Sequence, residues 1–267
     1  MTPSEGNYPF VECSTFADQI KAKGMAWQSN WHFKDTPYLD EGGSINDYPN
    51  FKPDPDTVDL AIQDIINWLM NKGDYTNSFA YQTIMSNNVG TADEAKSFAL
   101  RLLIHYVGDL HQPLHATARV DSKYPKGDAG GNFFKVPTKL GAKNLHSVWD
   151  SIVYLWTETP NMPLSYNDWN TQGTAVGQLE KKYQFQANDW QNLDIEAWAT
   201  ESFELSKTNV YPGIHENEPL PDDYIAKNQD AIQRQIVLGG LRLSYIIQTI
   251  FAPSAEEEVA VPTTFLA

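Results

Sequence analysis

Helical periodicity, interrupted at intervals by proline and glycine, runs through almost all of this chain and points to an architecture of packed helices. Over residues 56–72, Val58, Ile62, Ile65, Ile66 and Leu69 recur at helical intervals, with Pro53 and Pro55 before them and Gly73 after. That spacing predicts an amphipathic helix. From Thr91 to Asp109, Thr91 and Glu94 form a Thr-x-x-Glu capping box, and Phe98, Leu102 and His105 continue along one face. Pro113 cannot donate a main-chain hydrogen bond and restricts the residue before it, so this helix should stop near Gln112. Helical spacing resumes over 145–156, 188–206 and 224–251. Between the helices, Val120 to Leu145 is rich in Gly, Pro and Lys and reads as a long irregular loop, with a short hairpin around Asn132 to Val136. Loops of that length in compact domains are usually functional. The expected class is all-α. No internal repeat or inter-domain linker is visible, so one domain is expected, followed by an acidic, proline-containing tail over 253–267.

The composition supports this and narrows the function. Twelve Phe, thirteen Tyr and eight Trp among 267 residues are ample for one large core. A formal net charge of −15 argues against a broad basic surface that grips nucleic acid through its phosphates. Bound metal would reverse that sign locally, so one cleft could still take a phosphate. Cys13 is the only cysteine, which excludes an internal disulfide. Residues 1–10 lack the basic and apolar regions of a secretory signal, and no apolar run is long enough to span a bilayer. Taken alone, the sequence reads as a soluble, unexported chain that does not engage membrane.

The chemistry concentrates between His105 and Asp150. His105 with Asp109, and His146 with Asp150, are each spaced four residues apart on helical stretches, which places both members of a pair on one helix face. Between them lie His115 and the run Gly130-Gly131-Asn132. Imidazole and carboxylate ligands suit zinc. Apolar neighbours such as Leu102, Ile104, Trp149 and Val153 strengthen the reading, because buried charges need partners or metals.

The runs HYVGDLHQPLHA (105–116), GGN (130–132) and NLHSVWD (144–150) resemble the signature of the zinc-dependent, single-strand-specific nucleases and nucleotidases of fungi, plants and protists. That family shares its fold with the bacterial zinc phospholipases C. Phe16-Ala17-Asp18, Trp31-His32-Phe33-Lys34-Asp35 and GGLRLSYII (239–247) extend the resemblance over about residues 15 to 250. It implies one zinc held by Asp18, His32, His105 and Asp109, and a second held by His115, His146 and Asp150. It also implies that Asp109 bridges to a third zinc, whose other ligands are an N-terminal Trp and a nearby His. Neither matches the opening MTPSEGNYPFVEC. Residues 1–14 are therefore expected to be a non-family segment preceding a nuclease domain over 15–252, with the first family helix lacking and the third site incomplete. A missing 5′ segment of the gene would account for the loss of leader and ligands together.

The resemblance further implies hydrolysis of single-stranded DNA, RNA or mononucleotides to 5′-phosphorylated products. In that reading Asp18, Lys21 and Asp109 serve the reaction, with Lys21 neutralising the pentacoordinate phosphate. Phe33 stacks a base, Asp35 hydrogen-bonds its edge, and Asn132 contacts phosphate or metal-bound water. A monomer is expected, secreted or in an endomembrane lumen as the family is. Two other readings compete: a phospholipase C-like phosphodiesterase with an apolar rim, and a zinc-binding remnant impaired in catalysis. His111 is expected to be structural or to support a ligand, His215 to lie in a loop, Trp198 and Tyr211 to belong to the core, and Glu256 to Glu258 to be solvated.

Overall fold

The computed structural model describes residues 5–158 and 160–252, and the tail with its Glu256–Glu258 run lies outside them. Among the described residues the helices are α1 (Pro9–Glu12), α2 (Phe16–Lys21), α3 (Val58–Leu69), α4 (Phe79–Ser86), α5 (Ala92–Leu110), α6 (Leu145–Asp150), α7 (Tyr166–Lys182), α8 (Ala187–Trp190), α9 (Ile195–Leu205) and α10 (Asp222–Ile250). Two small two-stranded sheets complete the fold, β1 (Thr36–Tyr38) with β2 (Thr117–Arg119) and β3 (Lys135–Lys139) with β4 (Ala142–Asn144). The all-α, single-domain expectation holds.

Helix α5 is the axis of the molecule. Its Thr91 cap is present in full: Thr91 Oγ1 accepts from the Glu94 amide, and the Glu94 carboxylate accepts from the Thr91 amide. The apolar face of α5 packs on α3, burying Leu102, Leu103 and Tyr106 against Ile62, Ile65 and Ile66, with Trp31 and Trp198 closing the cluster. A second cluster gathers Leu114, Phe134, Val148, Trp149, Tyr211 and Ile232. Leu110 belongs to the first core and Leu114 to the second, so the chain crosses from one to the other between Asp109 and His115.

Several boundaries differ from the sequence reading, each for a local reason. The hairpin overlaps the expected Asn132–Val136 only at its start and runs on through β3 and β4, because Leu140 and Gly141 both take positive φ (50° and 87°) and make the turn there. Helix α6 stops at Asp150 instead of running to Trp156. Ile152, Val153 and Tyr154 follow it with φ of 55°, 52° and 69°, and Gln229 of α10 donates to the Val153 carbonyl. The stretch 188–206 is broken because Asn192 accepts from Trp198 Nε1 and from the Asp194 amide, while Asp194 caps α9 through the Ala197 amide. Helices α4 and α7, which the periodicity did not announce, are capped by Ser78 and Ser165.

Candidate metal centre and substrate cleft

Seven side chains from separate segments converge. Asp18 comes from α2, His32 from the end of a 3₁₀ turn over Ala26–His32, His105 and Asp109 from α5, His115 from the 3₁₀ turn Pro113–His115, and His146 and Asp150 from α6. In the first group, His32 Nδ1 lies 2.8 Å from Asp109 Oδ2 and 3.9 Å from Asp18 Oδ1. His105 Nε2 lies 3.2 Å from the same Asp109 oxygen and 3.5 Å from Asp18 Oδ2. In the second, Asp150 is 3.9 Å from His115 Nε2 and 3.6 Å from His146 Nε2. The two groups adjoin, with the other Asp109 oxygen 3.9 Å from His115 Nδ1.

Three observations fit a cation to these groups. The donor atoms of four side chains, 2.8–3.9 Å apart in these pairs, match the edges of a coordination shell, since ligands about 2.1 Å from a tetrahedral zinc lie roughly 3.4 Å from one another. His105 Nε2 is buried and aimed between the Asp109 and Asp18 carboxylates. Asp109 and Asp150 sit in the last turns of α5 and α6, where the helix dipole disfavours a carboxylate and no basic residue offsets it.

Burial and mutual charge set the protonation of the groups. Burial works to raise the Asp109 carboxyl, but His115 and His105, with hydrogen bonds from His105 and His32, outweigh it and hold that carboxyl well below the usual range. Burial would depress His105, yet Asp109 and Asp18 dominate and push it up to about 9. Burial dominates at His32 and His115, lowering both.

Around this centre, Phe33 lies flat on the His115 ring, with centroids 4.8 Å apart and planes 12° apart. Asp35 is half-buried, and burial together with Asp54 and Asp128 raises its carboxyl to about 6. Lys21 pairs with Asp18 at 2.8 Å. The Asn132 amide is engaged in its own loop, donating to the Ala129 carbonyl and accepting from Asn144. On the α10 side a cavity of about 370 Å³ borders Asp109, His115 and Asp150, walled by Val107, Ile152, Ile232 and Ile236.

The S1/P1 nuclease family model matches residues 1–252. The chain belongs to the S1/P1 nuclease family. Among relatives, Endonuclease 3 of Arabidopsis thaliana is 26% identical over 97% of this chain and 82% of its own length. Endonuclease 1 of the same plant is 26% identical over 85% of this chain and 70% of its own length. Nuclease P1 of Penicillium citrinum is 26% identical over 89% and 83%. Within this S1/P1 chain, the other singled-out residues are structural. His111 is buried, with Nδ1 on the Val107 carbonyl and Nε2 accepting from Arg242, and burial followed by the Arg242 charge lowers it to about 3. Trp198 and Tyr211 are buried, and His215 is an exposed loop residue.

Sequence reasoning passed over the residues that hold the site from behind. Gln28 contacts His32 Nε2, and Gln112 donates to Asp150 Oδ1 at 2.9 Å. Gln28 stands four residues before His32, the spacing that exposed the two His/Asp pairs, and that was the available signal. The Gly130-Gly131 run acts through its main chain. The Gly130 carbonyl holds His146 Nδ1 at 2.7 Å, and a Cβ at Gly130 would meet the Leu114 carbonyl at 2.4 Å.

Proposed function

We propose that this chain is a zinc-dependent phosphodiesterase that cuts single-stranded DNA or RNA and removes the 3′ phosphate from nucleotides, leaving 5′-phosphorylated products on strand cleavage. The observation that carries it is the juxtaposition of two adjoining His/Asp donor groups with an aromatic ring, Phe33, at their edge. Asp18, His32, His105 and Asp109 would hold one zinc, and His115, His146 and Asp150 a second, so two ions are what these seven side chains serve. Zinc held there supplies Lewis-acid polarisation and a water of lowered pKa. Lys21 offsets charge building on the phosphate, Phe33 stacks a base, Asp35 meets the edge of that base, and Asn132 contacts the phosphate or metal-bound water. Stacking needs an unpaired base and tolerates any of the four, which favours single strands of mixed sequence. The proposed setting is the secretory or endomembrane route, by analogy with the family, with the chain acting as a monomer.

The test is Asp109→Asn, assayed for zinc content and for cleavage of a single-stranded oligonucleotide. Loss of cleavage with loss of zinc from the first group is expected, and normal turnover would remove Asp109 from the machinery. The apolar cavity beside Asp150 favours a second reading, a lipid phosphodiesterase, and turnover of phosphatidylcholine without turnover of oligonucleotide would select it.

A further inference from the structure

Four histidines line the two donor groups, and three of them are held alike. His105, His115 and His146 each turn Nδ1 to a backbone carbonyl, those of Ser14 (2.6 Å), His32 (2.8 Å) and Gly130 (2.7 Å). A carbonyl oxygen only accepts, so these rings carry their proton on Nδ1 and offer Nε2 to the site. His32 is reversed. Its Nδ1 faces Asp109, and its Nε2 lies 2.8 Å from Gln28 Oε1.

The orientation of Gln28 is itself forced. The side chain is fully buried, and one end of its amide lies 2.9 Å from the Ala17 carbonyl, which only an NH₂ can meet. The oxygen therefore stands at the other end, where the Tyr106 hydroxyl is 2.6 Å away and His32 Nε2 is 2.8 Å away. Both must donate to it. Turning the amide over would set its oxygen against the Ala17 carbonyl, two acceptors face to face in a dry interior. Tyr106 is also fully buried and follows His105 on α5, so the lock is anchored on the helix that carries the first donor group.

We infer that Gln28, locked by the Ala17 carbonyl and the Tyr106 hydroxyl, is a positioning residue that holds His32 as its Nε2–H tautomer and so presents Nδ1 to the first metal group. This rests on the reading that the Asp18, His32, His105 and Asp109 group takes zinc. The reversal has a geometric use. Nδ1 lies nearer the backbone than Nε2, so ligation through it brings the His32 main chain close to the centre. The His32 carbonyl then reaches His115 of the second group. One residue thus serves the first group with its ring and the second with its peptide.

Two-bond ¹H–¹⁵N spectra of the full zinc-loaded chain, labelled at histidine and compared with His32→Asn to identify the signal, read the tautomer directly. His32 is expected to carry its proton on Nε2, opposite to His105, His115 and His146. A proton on His32 Nδ1, or zinc on its Nε2, overturns the inference. Gln28→Met, which removes the acceptor, is expected to weaken one of the two zinc affinities by about 10- to 100-fold in chelator competition. Tyr106→Phe leaves the acceptor in place and should cost less. Native affinity for both ions in Gln28→Met overturns the inference. If that variant does not fold, the spectrum of the native chain decides. A native chain that takes up no zinc refutes the metal reading instead, an outcome distinct from a zinc-loaded chain whose His32 carries its proton on Nδ1.

Discussion

Replacing Phe33 with alanine separates base recognition from the chemistry of the centre. One face of the Phe33 ring is covered by His115, whose plane is 12° away, and this contact fixes the ring beside both donor groups. A base stacked on the remaining face gains about 1–3 kcal/mol. Its loss predicts a fall of roughly 5- to 150-fold in kcat/KM on a single-stranded oligonucleotide, at about 1.4 kcal/mol per factor of ten. The substitution also removes a wall from His115, and that disturbance would reach every substrate alike. The decisive quantity is therefore a ratio. kcat/KM for the normal oligonucleotide is compared with that for the same strand carrying an abasic site at the scissile nucleotide, in native and variant protein, with zinc content measured in both. Phe33→Ala should collapse the preference for the base-bearing strand while leaving zinc bound, because Phe33 contributes no ligand atom. An equal loss on both strands would refute stacking and leave Phe33 as packing for His115.

Three further outcomes follow from the same geometry. Asp35 titrates near 6 when folded and near 3.9 unfolded, so its contribution is best below pH 4 and is lost as pH rises through 6. Asp35→Asn should accordingly be more stable than native by about 2 kcal/mol at pH 7, allowing for solvent screening, and indistinguishable at pH 3.5, read by denaturant unfolding. Gly130→Ala drives a Cβ into the Leu114 carbonyl at a φ of +57° and displaces the carbonyl that holds His146. It should lose the second zinc and keep the first, measured by metal analysis, and retention of both would show that the loop yields. Arg242→Met breaks the links to Glu201, His111 and the Asp189 carbonyl beneath Trp198, costing about 3 kcal/mol, or roughly 6–12 °C in Tm, with zinc content unchanged.

What could be read in advance was whatever a local rule governs. Helix α5 was legible to within two residues, because its capping box, apolar face and terminating Pro113 are all local signals. The His/Asp pairs were visible for the same reason: residues four apart on a helix must share a face. Asp18 and His32 carry no such spacing and were reached through the family resemblance alone. The left-handed turn after Asp150 was hidden, since Ile152 and Val153 are β-branched residues that disfavour positive φ, and the contact that helps hold them comes from Gln229, far away in sequence. The parallel pairing of β1 with β2 was equally hidden. Three-residue strands have no measurable periodicity, and a pairing across some eighty residues is a tertiary event.

That pairing has a mechanical consequence. Thr36, Pro37 and Tyr38 run beside Thr117, Ala118 and Arg119, the Lys34 amide donates to the His115 carbonyl, and His115 returns a bond to the peptide of His32. The two donor groups are thereby riveted together by main chain and by the His115 ring, and the gap between them is a fixed gauge. Selection among substrates would then fall to the rim, where Asp35 can be exchanged without retuning the span that a phosphate must bridge.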